Sequence, residues 1–368
     1  MYPARPWLNY LWNDEVVASA DQFGNGFAWT QHGTKRRDLE SGTRNVYVFD
    51  RDSKELYSAT RNHRDLPFDS HKAIVGLGYH QVVSSYQGLE VTFTILAPTA
   101  GKRILYRIEA KNVSEKKKDV TLIFENEPRP ALSWHDAYGE AHANIKSIVY
   151  SHVGYRVASD LGHLALSSSD VPSGFETSYA RLFGVYGFPE MPKGGLKRGA
   201  LSCQGDEFEG HYIGAFSYSL SLAPGEKKDI RLGLATAESE DAAIDASSSA
   251  LSEDALQAEW DAVIAKERSS HSRFQVHSGD EILDAQVNTW LKRQTSLGKN
   301  WGRLYGKGFR DVLQDITSFA SLDPKAAKKQ LTHALAYQLA YQYEDGNPIR
   351  MFSQISIIPI KMAPLGSR

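Results

Sequence analysis

The sequence has almost no cysteine and no excess of charge of either sign. Its 368 residues include one cysteine, Cys203, which excludes an internal disulfide. No CxxC or HExxH spacing accompanies the 12 histidines, so zinc-ribbon, iron–sulfur and zincin sites are excluded as well. The 42 basic and 44 acidic residues give a net charge of −2, which disfavours nucleic acid as a partner. We therefore expect no metal and no organic cofactor.

The sequence also lacks the patterns of a membrane span and of a secretory leader. Its longest apolar clusters, such as residues 355–360, have the length of a strand, whereas a membrane helix needs about 18 apolar residues. The opening MYPARPWLNYLWNDEVV has no cationic segment followed by an apolar run. We expect a cytoplasmic protein in a reducing setting, without membrane contact.

Alternation with period two dominates the amino-terminal part of the chain. Val91, Phe93 and Ile95 lie on one face of such a run, and Gly, Asn, Asp or Pro interrupts the runs about every ten residues. The polar segment 112–119 separates two runs and predicts a hairpin. About fifteen strands would exceed a small sandwich. We predict a large, antiparallel, two-sheet β-sandwich domain over residues 1–237.

Helical spacing replaces alternation after this domain. Residues 238–279 gain Ala and Glu and carry an apolar stripe, which predicts a helical linker packed against the sandwich. A second helical region, residues 280–352, begins at Asp280. Its last clear helix starts at Asp323-Pro324, a capping acid followed by proline at the first helical position. The stripe of the linker consists of Leu251, Ala255, Leu256, Trp260 and Val263.

One helix of the second region has a short polar face. If residues 311–320 are helical, an apolar stripe is buried on one side and acidic and amide groups share the other. The stripe comprises Val312, Leu313, Ile316 and Phe319, and the polar face comprises Asp311, Gln314, Asp315 and Ser318, with Arg310 at its edge.

Two interpretations of this face are open from the spacing alone. Carboxylates accept hydrogen bonds from sugar hydroxyls and a guanidinium donates a planar fork, while the nearby Trp301, Tyr305 and Phe309 could cover a pyranose. Alternatively, the acids only offset the macrodipole at a helix amino terminus. Asp311 and Asp315 would lie side by side on adjacent turns, which disfavours a hydrolase with carboxylates on opposite sides of its substrate.

Four segments carry a resemblance to a known family, and the GFRDxxQD run within them is fairly specific. In order along residues 1–352, they resemble the cellobiose phosphorylase family, glycoside hydrolase family 94, formerly glycosyltransferase family 36. The resemblance implies an amino-terminal β super-sandwich, a helical linker and an (α/α)6 barrel. The segments are ARPWLNYLWND at 4–14, QFGNG at 22–26, WGRLYGKGFRDVLQD at 301–315 and DGNPIR at 345–350.

The resemblance also implies a reaction. Family members cleave a β-glucoside reversibly with inversion, using inorganic phosphate as co-substrate, so the implied partners are a di- or oligosaccharide and a sugar 1-phosphate. The motif match implies that Arg310 and Asp315 bind the donor sugar, supported by Asp311 and Gln314. Arg303 is a weaker candidate for orienting phosphate. A homodimer is a further implication.

The chain departs from the family pattern in its catalytic part. The family's general acid is an Asp in a Trp-Asn-Asp run well inside the barrel, and the one such run here, residues 12–14, lies in the opening β segment. Residues 353–368 do not resemble barrel sequence. We therefore predict a truncated member that holds the first helices of an incomplete (α/α)6 barrel, no catalytic residue, a tail at 353–368 and no activity alone. The alternatives are a natural short protein and a non-catalytic carbohydrate-binding sandwich that uses aromatics such as Trp7.

Overall fold

The structure of the chain is a computed structural model. It describes all residues except 1–4, 6, 33–34, 61–65, 130–138, 144–145, 153–161, 205–206, 209–210, 302–308, 336–342, 345–346 and 349–368. The chain divides into two compact units, one of residues 1–32 and 36–264 and one of residues 33–35 and 265–368. The predicted tail at 353–368 lies outside the described residues. The predicted domain boundaries at residues 237 and 279 stay predictions.

The first unit is built mainly from β-strands. Short alternating runs between turn residues form them, as expected for strands that bury one face. Within the described residues the strands are β1 (Asn9–Trp12), β2 (Val16–Ala20), β3 (Gly26–His32), β4 (Lys35–Asp50), β5 (Leu56–Ser58), β6 (Ser70–Val75), β7 (Tyr79–Tyr86), β8 (Leu89–Leu96), β9 (Arg103–Asn112), β10 (Lys118–Pro128), β11 (Gly139–Ala143), β12 (Ser147–His152), β13 (His163–Ser168), β14 (Gly174–Ser178), β15 (Glu207–Phe208), β16 (Tyr212–Leu222) and β17 (Lys227–Ala237).

These strands form two large sheets. In the eight-stranded sheet the order is β1-β2-β3-β4-β10-β16-β14, with β5 paired to β4, and in the nine-stranded sheet it is β15-β11-β12-β13-β17-β9-β8-β7-β6. Apolar side chains from both sheets form one buried core, in which the Phe93 and Phe124 rings lie 6.0 Å apart. The predicted antiparallel two-sheet sandwich is confirmed.

The predicted hairpin around residues 112–119 is wrong. β9 pairs with β8 and β17 in one sheet, and β10 pairs with β4 and β16 in the other, so the segment between them crosses the sandwich. The connection between β16 and β17 crosses in the same way. Asn112 joins the two crossings, because its side-chain amide donates to the carbonyls of Lys116 (2.7 Å) and Leu222 (2.9 Å).

Two helices follow β17, as the linker pattern predicts. They are α2 (Glu240–Ser248) and α3 (Glu253–His271). Two short helical elements come earlier in the chain, between strands: α1 (Tyr179–Phe183) and a 3-10 turn (Gly195–Arg198). A Cβ atom at Gly233 would lie 2.0 Å from the Ser247 carbonyl oxygen, so only glycine lets α2 approach β17 this closely. The predicted stripe of the linker packs on Leu96 and Leu105 of the nine-stranded sheet.

The described part of the second unit is mainly helical. Asp280 accepts hydrogen bonds from the backbone amides of Ile282 (2.9 Å) and Leu283 (3.2 Å), and Asp323 accepts one from Ala326 (3.1 Å), so both predicted helix starts are confirmed. The elements are α4 (Glu281–Ala285), a π-helical turn (Gln286–Trp290), α5 (Leu291–Trp301), α6 (Phe309–Phe319), α7 (Pro324–Leu335) and the strand pair β18 (Tyr343–Glu344) and β19 (Asn347–Pro348).

The predicted start of a helical domain after the linker is confirmed by helices α4 to α7. Among the described residues, no helix is both long enough and apolar enough to cross a membrane.

Candidate functional site

Helix α6 is fixed by its neighbours α5 and α7. Ile316 and Phe319 are buried and pack with Ala327 of α7, as the predicted stripe requires. The ammonium group of Lys299 on α5 lies 3.0 Å from the Asp323 carboxylate, which itself caps α7. Three helices are thereby held together, and α6 presents a fixed polar face.

The four predicted sugar-binding side chains all lie on α6. With 3.6 residues per turn, Asp311 and Asp315 form one row along the helix, and Arg310 and Gln314 form the adjacent row. Arg310 and Gln314 are exposed, whereas Asp311 and Asp315 are half-buried. The helix thus brings two carboxylates, a guanidinium and an amide to one surface, as the spacing predicts.

The aromatic residues predicted to lie beside this face differ in how much of the ring is exposed to solvent. Trp301, at the end of α5, is 5% exposed, so its ring is part of the packing and offers little surface to a sugar. Phe309, at the start of α6, is 39% exposed and is available for contact. Tyr305 and the candidate phosphate-binding residue Arg303 lie outside the described residues.

The sequence interpretation missed a buried set of charges at the end of α3. The Lys292 ammonium group donates to the carbonyl oxygens of His271 (3.0 Å), Arg273 (2.7 Å) and Phe274 (2.6 Å). Arg293 donates to the Glu267 carboxylate at 2.6 Å, and both side chains are largely buried. These contacts tie the end of α3 to α5. Lys292 lies on the side of the helix opposite its apolar residues, such as Leu283 and Val287, so the sequence pattern carried no signal of its burial.

A second missed cluster lies inside the sandwich. Glu40 is buried and accepts hydrogen bonds from Arg44 (2.6 Å), the Tyr106 hydroxyl (2.6 Å) and the Asn126 amide (3.0 Å). Burial, followed by the positive charge of Arg44, lowers the pKa of His80 to about 4. Arg44 lies two residues before the buried Val46 on β4. Because side chains two residues apart on a strand point to the same face, alternation alone could have predicted that Arg44 is in the core.

A buried carboxyl group lies on the opposite face of the eight-stranded sheet. Glu125 accepts hydrogen bonds from the Asn45 amide (3.0 Å) and the Thr43 hydroxyl (3.1 Å). Burial, aided by the nearby charge of Glu127, raises the pKa of Glu125 to about 8, so this carboxyl is largely protonated at pH 7. Perturbed carboxyl groups occur at functional sites and also in structural networks, and these hydrogen bonds suit the structural role.

No metal centre is formed by the described part of the chain. Within it, no group of three or more His, Cys, Asp or Glu side chains is placed to hold a metal ion.

Comparison with known proteins relates both units to one family. The supersandwich domain of glycosyl hydrolase 94 matches residues 2–252, and the catalytic domain of the glycosyl hydrolase 94 superfamily matches residues 267–364. A solabiose phosphorylase of Paenibacillus borealis is 24% identical over 363 residues, covering 94% of this chain and 46% of the relative. An N,N'-diacetylchitobiose phosphorylase of Vibrio proteolyticus is 23% identical over 384 residues, covering 92% and 45%.

A solved structure adds a likeness of fold alone. A bacterial glucoamylase in complex with acarbose superposes with a TM-score of 0.52 at 10% identity, covering 93% of this chain and 61% of that chain. The chain spans just under half the length of the curated relatives it matches. Since the supersandwich match alone extends over more than half of its residues, the chain belongs to glycoside hydrolase family 94.

Proposed function

We propose that this chain is the amino-terminal portion of an inverting β-glucoside phosphorylase that acts on cellobiose or a related oligosaccharide. The observation that carries the proposal is the succession of two family-94 domain matches along the chain, with phosphorylases among its relatives. The chain would supply the complete sandwich, the linker and the first helices of the catalytic domain.

In the proposed reaction, inorganic phosphate attacks the anomeric carbon and the bond to the leaving sugar oxygen breaks. A carboxylic acid gives that oxygen its proton, and the product is a sugar 1-phosphate of inverted configuration. Phosphate replaces the activated water of an inverting hydrolase, so one protein carboxyl group suffices. The proposed site therefore does not need two carboxylates on opposite sides of the substrate, as a hydrolase does.

The polar face of α6 has the groups that a donor-sugar subsite needs. Arg310 and Asp315 would hold the hydroxyl groups of the donor sugar, with Asp311 and Gln314 supporting them. Arg303 is proposed to orient phosphate. Asp315→Ala should weaken glucose binding by the full chain at least tenfold in isothermal titration calorimetry. Thr317→Ala, two residues along the same helix, is the matched control and should leave binding unchanged.

No residue of this chain is assigned as the general acid, and we propose that the chain alone is inactive. The test is phosphate release from glucose 1-phosphate, with glucose or cellobiose as acceptor, by the purified 368-residue chain. We expect no turnover above the rate without protein. Turnover that disappears in Asp315→Ala would overturn the proposed inactivity while supporting the site.

A non-catalytic carbohydrate-binding sandwich is the second candidate. It is favoured by the side chain of Trp7, which is 75% exposed beside the first strand and is therefore free to contact a ligand. This function predicts oligosaccharide binding that survives Arg310→Ala and Asp315→Ala but is lost in Trp7→Ala. The same calorimetric titration distinguishes the two functions.

A further inference from the structure

A cavity of about 140 Å³ lies between the outer face of the nine-stranded sheet and the first half of α3. It is lined entirely by residues of the first unit and does not involve α6. One wall is a row of polar side chains on four strands, and the other is formed by Glu253, Gln257 and Trp260 of the helix. Its volume is several times the roughly 30 Å³ that one water occupies in the liquid, which suits a single small ring.

The polar wall follows directly from strand register. Arg231 of β17 is opposite Arg107 of β9, Arg107 is opposite Thr94 of β8, and Thr94 is opposite Gln81 of β7. Because residues in register share a face, these four side chains form one continuous row. The Gln81 amide donates to the Thr94 hydroxyl at 3.0 Å, which fixes the orientation of both groups. The row offers guanidinium donors at one end, and a hydroxyl and an amide that can donate and accept at the other.

The two arginines of the row share the Asp229 carboxylate, and Arg107 Nη2 also lies 3.4 Å from the Glu109 carboxylate. Asp229 accepts from Arg107 Nε (3.0 Å) and Nη2 (3.2 Å) and from Arg231 Nη1 (2.7 Å). Arg231 Nε also donates to the Leu251 carbonyl oxygen at 2.7 Å, while Arg107 Nη1 and Arg231 Nη2 donate no hydrogen bond within the described part of the chain. These groups are oriented by the ion pairs and retain donors for a ligand.

An aromatic ring forms the helical wall. Trp260 is half-buried, and its ring packs against Tyr79 with centroids 4.4 Å apart. Leu96, Leu105 and Leu256 complete the apolar part of the lining. Trp260 is therefore held in place by the sandwich, and the apolar surface meets the polar row within one cavity.

We propose that this cavity is a binding subsite for a neutral pyranose ring, separate from the polar face of α6. Hydroxyl groups of the sugar would bond to the Arg107, Thr94 and Gln81 row, and its apolar face would contact Trp260. Charge favours a neutral ligand, because Arg107 and Arg231 are balanced by Asp229 and Glu253 in the same lining. The proposal does not depend on the proposed phosphorolysis.

The test is a titration of the full chain with cellobiose, in which binding is measured by ligand-observed NMR and by calorimetry. It is carried out in an Asp315→Ala background, which weakens any binding at the α6 face. We expect saturable binding that Trp260→Ala weakens at least tenfold and Trp260→Phe weakens less than threefold. Glucose 1-phosphate, which carries charge, should compete at least tenfold less well than cellobiose.

A second variant and a matched control guard against a folding defect. Gln257 lines the cavity but is largely exposed to solvent, so Gln257→Ala should leave the thermal midpoint unchanged and still weaken cellobiose binding about threefold. Tyr186→Ala removes an exposed aromatic ring of the first unit outside the cavity lining and should change nothing. Absence of saturable binding, or binding that is lost in Trp7→Ala and retained in Trp260→Ala and Gln257→Ala, would overturn the proposal.

Discussion

Arg44 is a buried cation in the sandwich core, paired with the buried carboxylate of Glu40. It is fully buried, and its guanidinium donates to Glu40 and to the carbonyl oxygens of Ser19 (2.6 Å) and Gly24 (3.2 Å). Arg44→Met would keep an unbranched apolar stem but leave the Glu40 carboxylate buried without its cation. Such a loss costs about 3–5 kcal/mol. We expect a fall of that size in the free energy of unfolding, measured with urea.

The control for this prediction is a half-exposed ion pair on the same sheet. Arg129 is 50% exposed and lies 3.8 Å from Glu127, so solvent screens the pair. Arg129→Met should change the free energy of unfolding by less than about 1 kcal/mol. Equal effects of the two substitutions would show that burial of Arg44 does not determine its contribution.

Glu125 makes the stability of the sandwich depend on pH. Its pKa rises from 4.5 in the unfolded chain to about 8 when burial removes water from the carboxyl. The folded state therefore binds an extra proton between these values, and its stability falls as the pH rises through them. The slope is at most about 1.4 kcal/mol per pH unit. Glu125→Gln should remove this contribution, as measured by urea unfolding from pH 5 to 9.

Thr43 provides a test of the cause. Thr43→Val removes a hydrogen bond that Glu125 accepts at 3.1 Å but leaves the carboxyl buried. Since burial is the main cause of the raised pKa, the dependence on pH should persist in this variant. If Glu125→Gln has the same pH profile as the unmodified chain, another group must carry the dependence.

At the scale of elements, Lys292 secures the end of α3. Its ammonium group donates to the carbonyl oxygen of His271, the last residue of α3, and to those of Arg273 and Phe274 just beyond it. Lys292→Met should remove these hydrogen bonds and lower the free energy of unfolding by roughly 2–3 kcal/mol. Faster amide exchange at residues 267–275 would locate the effect. Lys329→Met, at an exposed position of α7, is the control and should be neutral.

The positions of the strands could be predicted from the sequence. Which strands pair with each other could not. Alternation identifies β8, β9 and β10 because it depends only on which face is buried. Pairing depends on contacts far apart in the chain, such as Glu125 of β10 opposite Ala215 of β16. A polar segment such as 112–119 is equally suited to turning within one sheet and to crossing between two, which is why the predicted hairpin is wrong.

The candidate site was predictable to a similar extent. The helix over residues 309–319 and its two faces follow from local spacing, as do the capping acids Asp280 and Asp323. The orientation of Trp301 depends on packing between helices, and the sequence gives no measure of its burial. The cavity beneath α3 was missed for the same reason as the strand pairing, because Arg107 and Arg231 are far apart in the chain.

At the scale of the whole molecule, large apolar side chains are exposed in both units, and in the second they are concentrated on its few described helices. The sandwich encloses a continuous core between its sheets. The described helices of the second unit leave several large apolar side chains in solvent, which is unusual for a protein that works as an isolated chain. They are Ile282 (83% exposed), Leu283 (47%), Leu291 (49%), Phe309 (39%), Leu331 (40%) and Leu335 (49%).

This exposed apolar surface predicts self-association of the isolated chain. Burying it against a second copy would remove apolar area from water, which is favourable by about 25 cal/mol per Å². We expect sedimentation velocity to show association that increases with protein concentration. Ile282→Glu with Leu291→Glu should raise the midpoint concentration at least tenfold, and both substitutions suit a helix. Val185→Ser with Tyr186→Ser, at exposed positions of the sandwich, is the control. If the control substitutions disperse the chain and the helical ones do not, the helices are not the associating surface.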